Sequence, residues 1–583
     1  MATASFTTRP EIVGTFGVVA SSHWVASQVG MAVLERGGNA FDAAVSAAFV
    51  LHVVEPHMNG LGGDAVILIE PAGDPTPTVV CGQGVAPAAA TIDGLHQMGH
   101  VAIPATGLAA AVVPGAFDAW MLILRDHGTL EIADALAPAI GYAETGAPVC
   151  ATLSQAIAGS RSRFVGEWPS SAAVYLRQGA VPSPGELLGL SALAATLKHI
   201  VAEAASAPSR QARIDRARAV FAQGFVAEAI DDFSRAEGGL LVGQDLADWS
   251  ATYESPLWVD FAGWQVFKAG PWTQGPVTLQ TLRLLDGTAS AGGDGADCVH
   301  QLVESLKLAF ADREAWYGDP RFVDVPLDAL LDPLYAAERR HLIGNGASPE
   351  LRPGRPDGRL PQLPTVPTGA GARAAEPIAE QVAASAPPRG DTCHLDVIDR
   401  WGNAVAATPS GGWLQGSPVV PALGFPLGTR GQMFWLQDGL ASSLRPRSRP
   451  RTTLTPSMAH GPCGERLAFG SPGGDSQEQW SLQFFLRVVS GDFDLQAAID
   501  APMWQSDHPP NSFFPRRARP NHLLLESRYP RATIDALIER GHDVELAGAW
   551  SLGHNCAAMR DSDGVRLRAA ASPRAQQAYA VGR

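Results

Sequence analysis

Thr392, Cys393 and His394 put a hydroxyl, a thiol and an imidazole on three consecutive residues. They stand where a Pro- and Gly-rich stretch gives way to the alternating run Leu395-Asp396-Val397-Ile398-Asp399, which reads as a strand. A hydroxyl or thiol at the head of a strand can attack a neighbouring carbonyl, which opens a route to acyl transfer. These residues alone also fit a plain interdomain linker followed by an ordinary strand. A second candidate, Gly60-Leu61-Gly62-Gly63-Asp64, is rich enough in glycine for a phosphate loop. It lacks the Lys-Ser/Thr of a P-loop, and it opens a strand where a dinucleotide-binding turn would open a helix. A third is the run from Arg445 to Arg451, which reads either as a solvated loop or as a cationic rim for an anionic substrate. Cys81, Cys150, Cys298, Cys393, Cys463 and Cys556 show no CxxC pair and no zinc-type spacing, so buried free thiols are expected. No metal or organic cofactor is implied.

The elements that must hold these residues follow from periodicity. Trp24 to Arg36 has helical spacing and is stopped by Gly37-Gly38. Asn39 can cap a second helix, Phe41 to Val54, which is apolar almost all round and so belongs between layers. Ala65 to Ile69 is a continuous apolar run, the pattern of a buried strand. Leu108 to about Arg235 is mainly helical, Tyr253 to Leu285 mixed, and Val299 to Trp316 a strong helix carrying Glu304, Lys307 and Arg313. Residues 344–390 are dominated by Pro, Gly, Ala and Arg, which predicts a flexible segment because so little apolar surface is available to offset ordering. Two strands, Cys393 to Asp399 and Ala404 to Ala407, are expected directly after it.

A chain of 583 residues exceeds the size at which one core stops growing, so two domains or one large layered domain are expected. With 46% hydrophobic and 17% charged residues, whole-chain disorder is excluded. A net charge of −15 repels polyanions and argues against a nucleic-acid partner. No apolar run reaches about 18 residues and the first residues carry no secretory pattern, so a cytoplasmic protein without a membrane span is expected.

Several segments occur in a fixed order: Val19 to His23 with Gly37 to Ala44; Glu55-Pro56 with Gly60 to Asp64; Ala311-Asp312-Arg313 with Gly318-Asp319-Pro320; and Asp391 to His394 with Gly402 to Val405. Arg449 to Ser457 and Gly470 to Gly474 follow. Together they resemble the gamma-glutamyltransferase (gamma-glutamyltranspeptidase) family of N-terminal-nucleophile hydrolases. The resemblance implies an α+β fold, a four-layer αββα sandwich. It also implies self-cleavage between Asp391 and Thr392, into a large subunit 1–391 and a small subunit 392–583 that stay together. Thr392 would then be the nucleophile, and its freed α-amine, with a pKa of roughly 7.7 to 8, the general base. Ser410 would hydrogen-bond the nucleophile, Gly473 and Gly474 would stabilise the oxyanion, and Thr452 and Thr453 would contact the acyl group. Cys393 as nucleophile is the competing assignment, and His394 is expected to be structural.

The pattern breaks where the family holds its glutamyl headgroup. Gln83 stands at the arginine that grips the α-carboxylate, and it offers neither the charge nor the bidentate fork. No carboxylate occurs in Gln432-Met433-Phe434-Trp435, where the family binds the α-amine, and Gly412 replaces an amide side chain. The expectation is a self-processing amidohydrolase or acyltransferase of a small amide that is not a standard gamma-glutamyl compound. Trp413, Phe434 and Trp435 suggest a more apolar pocket. The alternatives are a true gamma-glutamyltransferase or glutathione hydrolase, and a noncatalytic binding relative. A higher homo-oligomer is compatible with all three.

Overall fold

The computed structural model describes residues 6–287, 293–365, 392–490, 493–574 and 576–583. Two seven-stranded sheets form its centre. The first runs in the spatial order Tyr579–Gly582, Gly17–Ser21, Leu395–Asp399, Ala404–Ser410, Asp64–Glu70, Thr78–Gly82, Thr252–Glu254, and every adjacent pair is antiparallel. The second is Ile12–Gly14, Leu567–Ala571, Cys556–Arg560, Arg466–Gly470, Ser457–His460, Trp264–Lys268, Leu257–Phe261. Both sheets contain strands from either side of Thr392, paired with each other at several positions. A chain cut at that point therefore stays joined through ladders of backbone hydrogen bonds.

Period-two alternation builds the layers. In the first sheet Val19, Ile67, Ile69 and Val80 point into a core shared with the helices Trp24–Glu35 and Ala40–Val54. Their neighbours Val18, Ala20, Val66, Leu68 and Val79 point the other way, onto Phe267, Met458, Ala468 and Ala558 of the second sheet. The second sheet's outer face, with Val259, Val266 and Phe469, packs against the helices Pro276–Leu285 and Ser476–Ser490. Helix, sheet, sheet, helix is the resulting order, the expected αββα arrangement. Much of the space between the sheets is lined by alanine, as at Ala404, Ala406, Ala468, Ala558 and Ala569, which lets the sheets approach closely.

Local signals place the helices. Gly37, with φ +96°, ends the first helix. Asn39 and Asp42 form a reciprocal capping box on the second, worth about 1 kcal/mol, and all of Ala40–Val54 is buried. The first part of the Pro- and Gly-rich segment is held in place, contrary to what its composition predicts. Residues 344–365 lie pinned to the body: Gly354 N–H donates to Asp312 at 2.6 Å, Arg352 to Glu304 at 2.9 Å, and Thr365 N–H to Gln437 at 2.9 Å. Composition missed this because the hold comes from hydrogen bonds rather than apolar burial. Residues 366–390 of the segment, with Asp391, lie outside the described residues. No described helix is long and apolar enough to cross a membrane.

Candidate active site

Thr392 and Ser410 face each other across an isolated antiparallel bridge, with their hydroxyl oxygens 3.2 Å apart and both residues fully buried. Register extends the row: Ser410 pairs with Asp64, and the next residue, Ala65, pairs with Gly82, which precedes Gln83. Four adjacent strands thus bring Thr392, Ser410, Asp64 and Gln83 to one end of the sheet.

Alternation separates the three candidate groups at the strand head. Cys393 joins the helix-side core, while His394 lies between the sheets. Its ring bonds the Thr408 hydroxyl at 3.1 Å and the Asp396 carboxylate at 3.0 Å, and it covers Gly470, where a Cβ would come within 2.4 Å of Cε1. His394 is thus buried with its ring committed to Thr408 and Asp396, the setting that a structural role calls for. The Cys393 thiol donates to Glu55 at 3.0 Å and accepts from Asn59 at 3.1 Å. Burial, reinforced by the Glu55 charge, pushes this thiol well above its usual range, so it is held protonated. That is poor preparation for a nucleophile.

Gly470 also fixes the opposite wall. Three residues beyond it, across the sandwich from Thr392, comes the turn Gly473-Gly474 with φ +121° and +55°. The turn opens the helix Ser476–Ser490, so amide N–H groups and the positive end of a helix dipole meet there. Gln274 donates to the carbonyls of both Gly474 (3.0 Å) and Thr453 (3.1 Å), tying this turn to the Thr452-Thr453 strand entry. Arg313 in turn donates to Gln274 at 2.8 Å and pairs with Asp475 and Glu314. Arg451 bonds Glu314 at 2.7 Å and Ser512 at 3.1 Å, and Ser512 closes the ring on Asp475 at 2.6 Å. Motif reading quoted Arg313 and Arg451 without giving them work, and it missed Gln274, Asp475 and Ser512. Asp475, directly after the glycine pair, was the one visible signal.

The glycines at 60–63 have a steric purpose. A Cβ on Gly63 would lie 2.1 Å from the Ser410 carbonyl, one on Gly60 2.5 Å from that of Gly412, and one on Gly62 2.1 Å from that of Pro426. The turn is the seat of the Ser410 to Gly412 segment, not a phosphate loop. Beside it Arg430 forms a buried bidentate pair with Asp64 at 2.8 and 2.9 Å, and its guanidinium lies 5.1 Å from the Trp413 ring.

Two of the expected substrate groups hold unused polar atoms. Gln83 is fully buried; among the described residues its amide N–H reaches only the next residue's carbonyl, at 3.1 Å, and its Oε1 has no partner. The Thr453 hydroxyl is likewise unpartnered, while Thr452 Oγ1 accepts from Leu454 N–H at 3.4 Å. Of the aromatic residues, Phe434 belongs to a small core with Leu95, Ile103 and Leu444, so it is not pocket lining. Trp413 packs on Phe513, with ring centres 6.1 Å apart, and Phe513 in turn touches Gly474.

The arginine run is neither of the two alternatives its sequence allowed. Arg447 is exposed on Asp248, but Arg449 and Arg451 turn inward. Arg449 pairs with Asp319 at 3.0 Å and with Glu254, and lies 4.6 Å from the Trp272 ring. These pairs join residues on opposite sides of the Asp391–Thr392 bond. Arg449 and Arg451, two residues apart, share the inward face of an extended segment, and left-handed backbone at Arg447 (φ +62°) interrupts the pattern before them, which charge counting could not detect.

His300, Glu304 and His542 bring ligand-type atoms within 4.8 Å of one another. Glu304 already holds Lys307 at 2.6 Å and Arg352 at 2.9 Å, while His300 bonds His542 and the Gly344 carbonyl, both at 2.9 Å. Two cations on the single carboxylate already oppose a third positive charge there.

Fold and site together define an N-terminal-nucleophile type of hydrolase sandwich. Residues 26–582 match the gamma-glutamyltranspeptidase family. The glutathione hydrolase-like YwrD proenzyme of Bacillus subtilis is 32% identical over 98% of this chain and 99% of its own length. The oxamate amidohydrolase proenzyme of Klebsiella pneumoniae is also 32% identical, over 97% and 99%. Among solved structures, one titled "Structure of LmbA2991HD" is 53% identical with a TM-score of 0.93, over 99% of this chain and all of that one. Cephalosporin acylase from Bacillus halodurans is 28% identical with a TM-score of 0.83, over 100% and 98%. The chain belongs to the gamma-glutamyltranspeptidase family, as a divergent member. It is an enzyme of the self-processing amidohydrolase and acyltransferase kind.

Proposed function

We propose that the chain cuts itself between Asp391 and Thr392 and then, through Thr392, hydrolyses small amides whose acyl part is not the zwitterionic gamma-glutamyl group. One observation carries the reading. The hydroxyl pair Thr392–Ser410 sits intact at 3.2 Å, while the positions around it that would recognise a glutamyl headgroup are rewritten as Gln83 and the carboxylate-free segment 432–435.

In maturation the Thr392 hydroxyl adds to the Asp391 carbonyl, its proton passes to the departing Thr392 nitrogen, and an ester forms as the peptide C–N bond breaks. Water then hydrolyses that ester, leaving residues 1–391 and 392–583. In turnover the free α-amine takes the Thr392 proton as oxygen attacks the substrate carbonyl. Gly473 and Gly474 N–H groups receive the oxyanion, and the ammonium protonates the leaving amine. Water, deprotonated by the same amine, attacks the acyl ester, releasing the acid and restoring Thr392. Transfer to an amine acceptor differs only in which nucleophile takes the acyl group. Ser410 steadies the Thr392 hydroxyl throughout, and the Gln274–Arg313–Asp475 network keeps the glycine turn at its distance.

The relatives named as an oxamate amidohydrolase and a cephalosporin acylase show that this family accommodates acyl groups other than glutamyl. An unpaired headgroup charge costs roughly 1.5–3 kcal/mol, so two such losses lower efficiency on gamma-glutamyl amides by a few orders of magnitude. The test is a panel of amides on matured protein. Poor glutathione turnover beside faster cleavage of non-glutamyl amides is expected, and efficient glutathione hydrolysis would refute the proposal.

A further inference from the structure

Glu55 is a buried carboxylate to which, among the described residues, no cation is paired. It is completely shielded from solvent, and its partners are neutral side chains: Ser22 donates at 2.6 Å, the Cys393 thiol at 3.0 Å and the Gln577 amide at 3.0 Å. Burial pushes its carboxyl up against these three bonds. Other buried glutamates hold a Lys or Arg: Glu304 has Lys307 at 2.6 Å, Glu314 has Arg451 at 2.7 Å, Glu478 has Lys268 at 3.1 Å and Glu526 has Arg574 at 2.7 Å. Asp42 and Asp399 lack a cation too, but each accepts several backbone N–H groups. Glu55 has neither kind of support, and a buried charge in that state is costly until a counter-charge arrives.

The place where one can arise is the strand head that Glu55 holds. Cys393 directly follows Thr392, and Ser22, bonded to the same carboxylate oxygen, donates its N–H to the His394 carbonyl at 3.0 Å. From the Thr392 nitrogen through Cys393 to that oxygen the path is about 11 Å at full stretch, an upper limit on their separation. The titratable groups around the carboxylate bring no positive charge to it. Burial, helped by the Glu55 charge, pushes the thiols of Cys393, Cys150 and Cys556 up, so they stay protonated. Burial pushes His23 down to about 3 and His52 down to about 4, so both rings are neutral near pH 7. His57 is bonded to Thr152, which also accepts from Gln577, and His394 on the opposite face of the strand is paired with Asp396 at 3.0 Å. Arg9 acts on Cys556 and not on Glu55.

We propose that Glu55 is the counter-charge for the α-ammonium that self-cleavage creates on Thr392, a positioning residue that strengthens the hold of this amine on its proton. This rests on the self-processing reading above and deepens it. In the uncut chain the Thr392 nitrogen is an uncharged amide. Breaking the Asp391–Thr392 bond turns it into an amine, which takes a proton from water and places a cation beside Glu55. The cut thus completes an ion pair that the precursor lacks. Glu55 lies on the helix side of the sheet with Cys393, away from the Thr392 hydroxyl, so it acts through the amine and touches no reacting atom. The amine must be neutral to accept the Thr392 proton, so an anion beside it moves the acid limb of the rate to higher pH. At an effective dielectric near 20, one charge between about 6 and 11 Å away is worth about one to two pH units.

The test is kcat/KM against pH on matured protein, with the non-glutamyl anilide that it cleaves fastest. Glu55→Gln keeps the shape and removes the charge, and should move the acid-limb midpoint down by about one to two pH units. Glu55→Asp keeps the charge and should hold the midpoint within about half a unit of the natural one. A midpoint that Glu55→Gln leaves in place, whatever the height of its plateau, makes Glu55 merely structural and overturns the counter-charge, with self-processing still standing. An active chain that stays uncut overturns self-processing itself, and the counter-charge with it. Should only the variants fail to mature, the natural enzyme decides: a midpoint at or above the roughly 7.7 to 8 of a free chain terminus supports the pairing, and one below that overturns it.

Discussion

Replacing Gly473 by alanine places a methyl where the turn is tightest. With φ +121° the residue lies beyond the left-handed basin near +50° to +70° that other residues sometimes occupy, so the backbone conflict costs about 1–3 kcal/mol. The new Cβ would lie 2.4 Å from Trp480 Cζ3 and 3.1 Å from two further ring atoms. Trp480 is completely buried, so overpacking adds about 1–3 kcal/mol unless something moves. Gly473 is half-buried and Trp480 is fixed, so the turn moves and carries its N–H groups away from the oxyanion. Loss of one such donor lowers kcat by about 10²–10³. Gly474→Ala is the matched control. Its φ of +55° lies inside the left-handed basin, and its Cβ would meet only the Phe513 ring edge at 2.9 Å, so a loss under about ten-fold is expected. Initial rates on matured protein, denaturing electrophoresis for the two pieces and a melting curve separate rate from folding. Gly473→Ala within three-fold of the natural kcat, or Gly474→Ala as the more damaged of the two, would falsify the assignment of this turn.

Thr392→Ala should abolish both self-cutting and turnover, whereas Cys393→Ala should keep most of each, because the thiol is protonated and faces the helix-side core; the small fragment's N-terminal sequence and the rates check this, and the reverse pattern moves the nucleophile to Cys393. Gln83→Arg should raise gamma-glutamyl turnover only in part, since the headgroup amine stays unpaired; recovery to the level of the best amide in the panel would show that Gln83 alone sets specificity. Asp319 makes stability pH-dependent: burial pushes its carboxyl up, but hydrogen bonds from Arg321 and Arg449 outweigh this and hold it at about 2. A lowered carboxylate stabilises fully above its unfolded value near 3.8, and roughly 2 kcal/mol is lost as pH falls from about 4 to 2. The melting-temperature gap between natural protein and Asp319→Asn should therefore narrow across that window, and a constant gap would count against the ion pair with Arg449.

The sequence by itself determined what short-range rules govern. Gly37 and Asn39 bounded the first two helices, the apolar run after Asp64 gave a buried strand, and the order of motifs from Val19 to Gly474 gave the family, its layers and the place of Thr392. Those signals are local in the chain or fixed in order along it, so no coordinates were needed to read them. Tertiary structure decided which groups meet. Thr392 reaches Ser410 only through strand register, and register also put Cys393 and His394 on opposite faces. Arg449 and Arg451 looked like surface charge until alternation turned them onto Asp319 and Glu314, more than a hundred residues earlier. Gln274 and Ser512 carry no local signal of their roles, because what defines each is a partner supplied by a distant segment. Burial turns ordinary arginines such as Arg449 and Arg451 into committed ion-pair partners, and burial is a property of the packed chain.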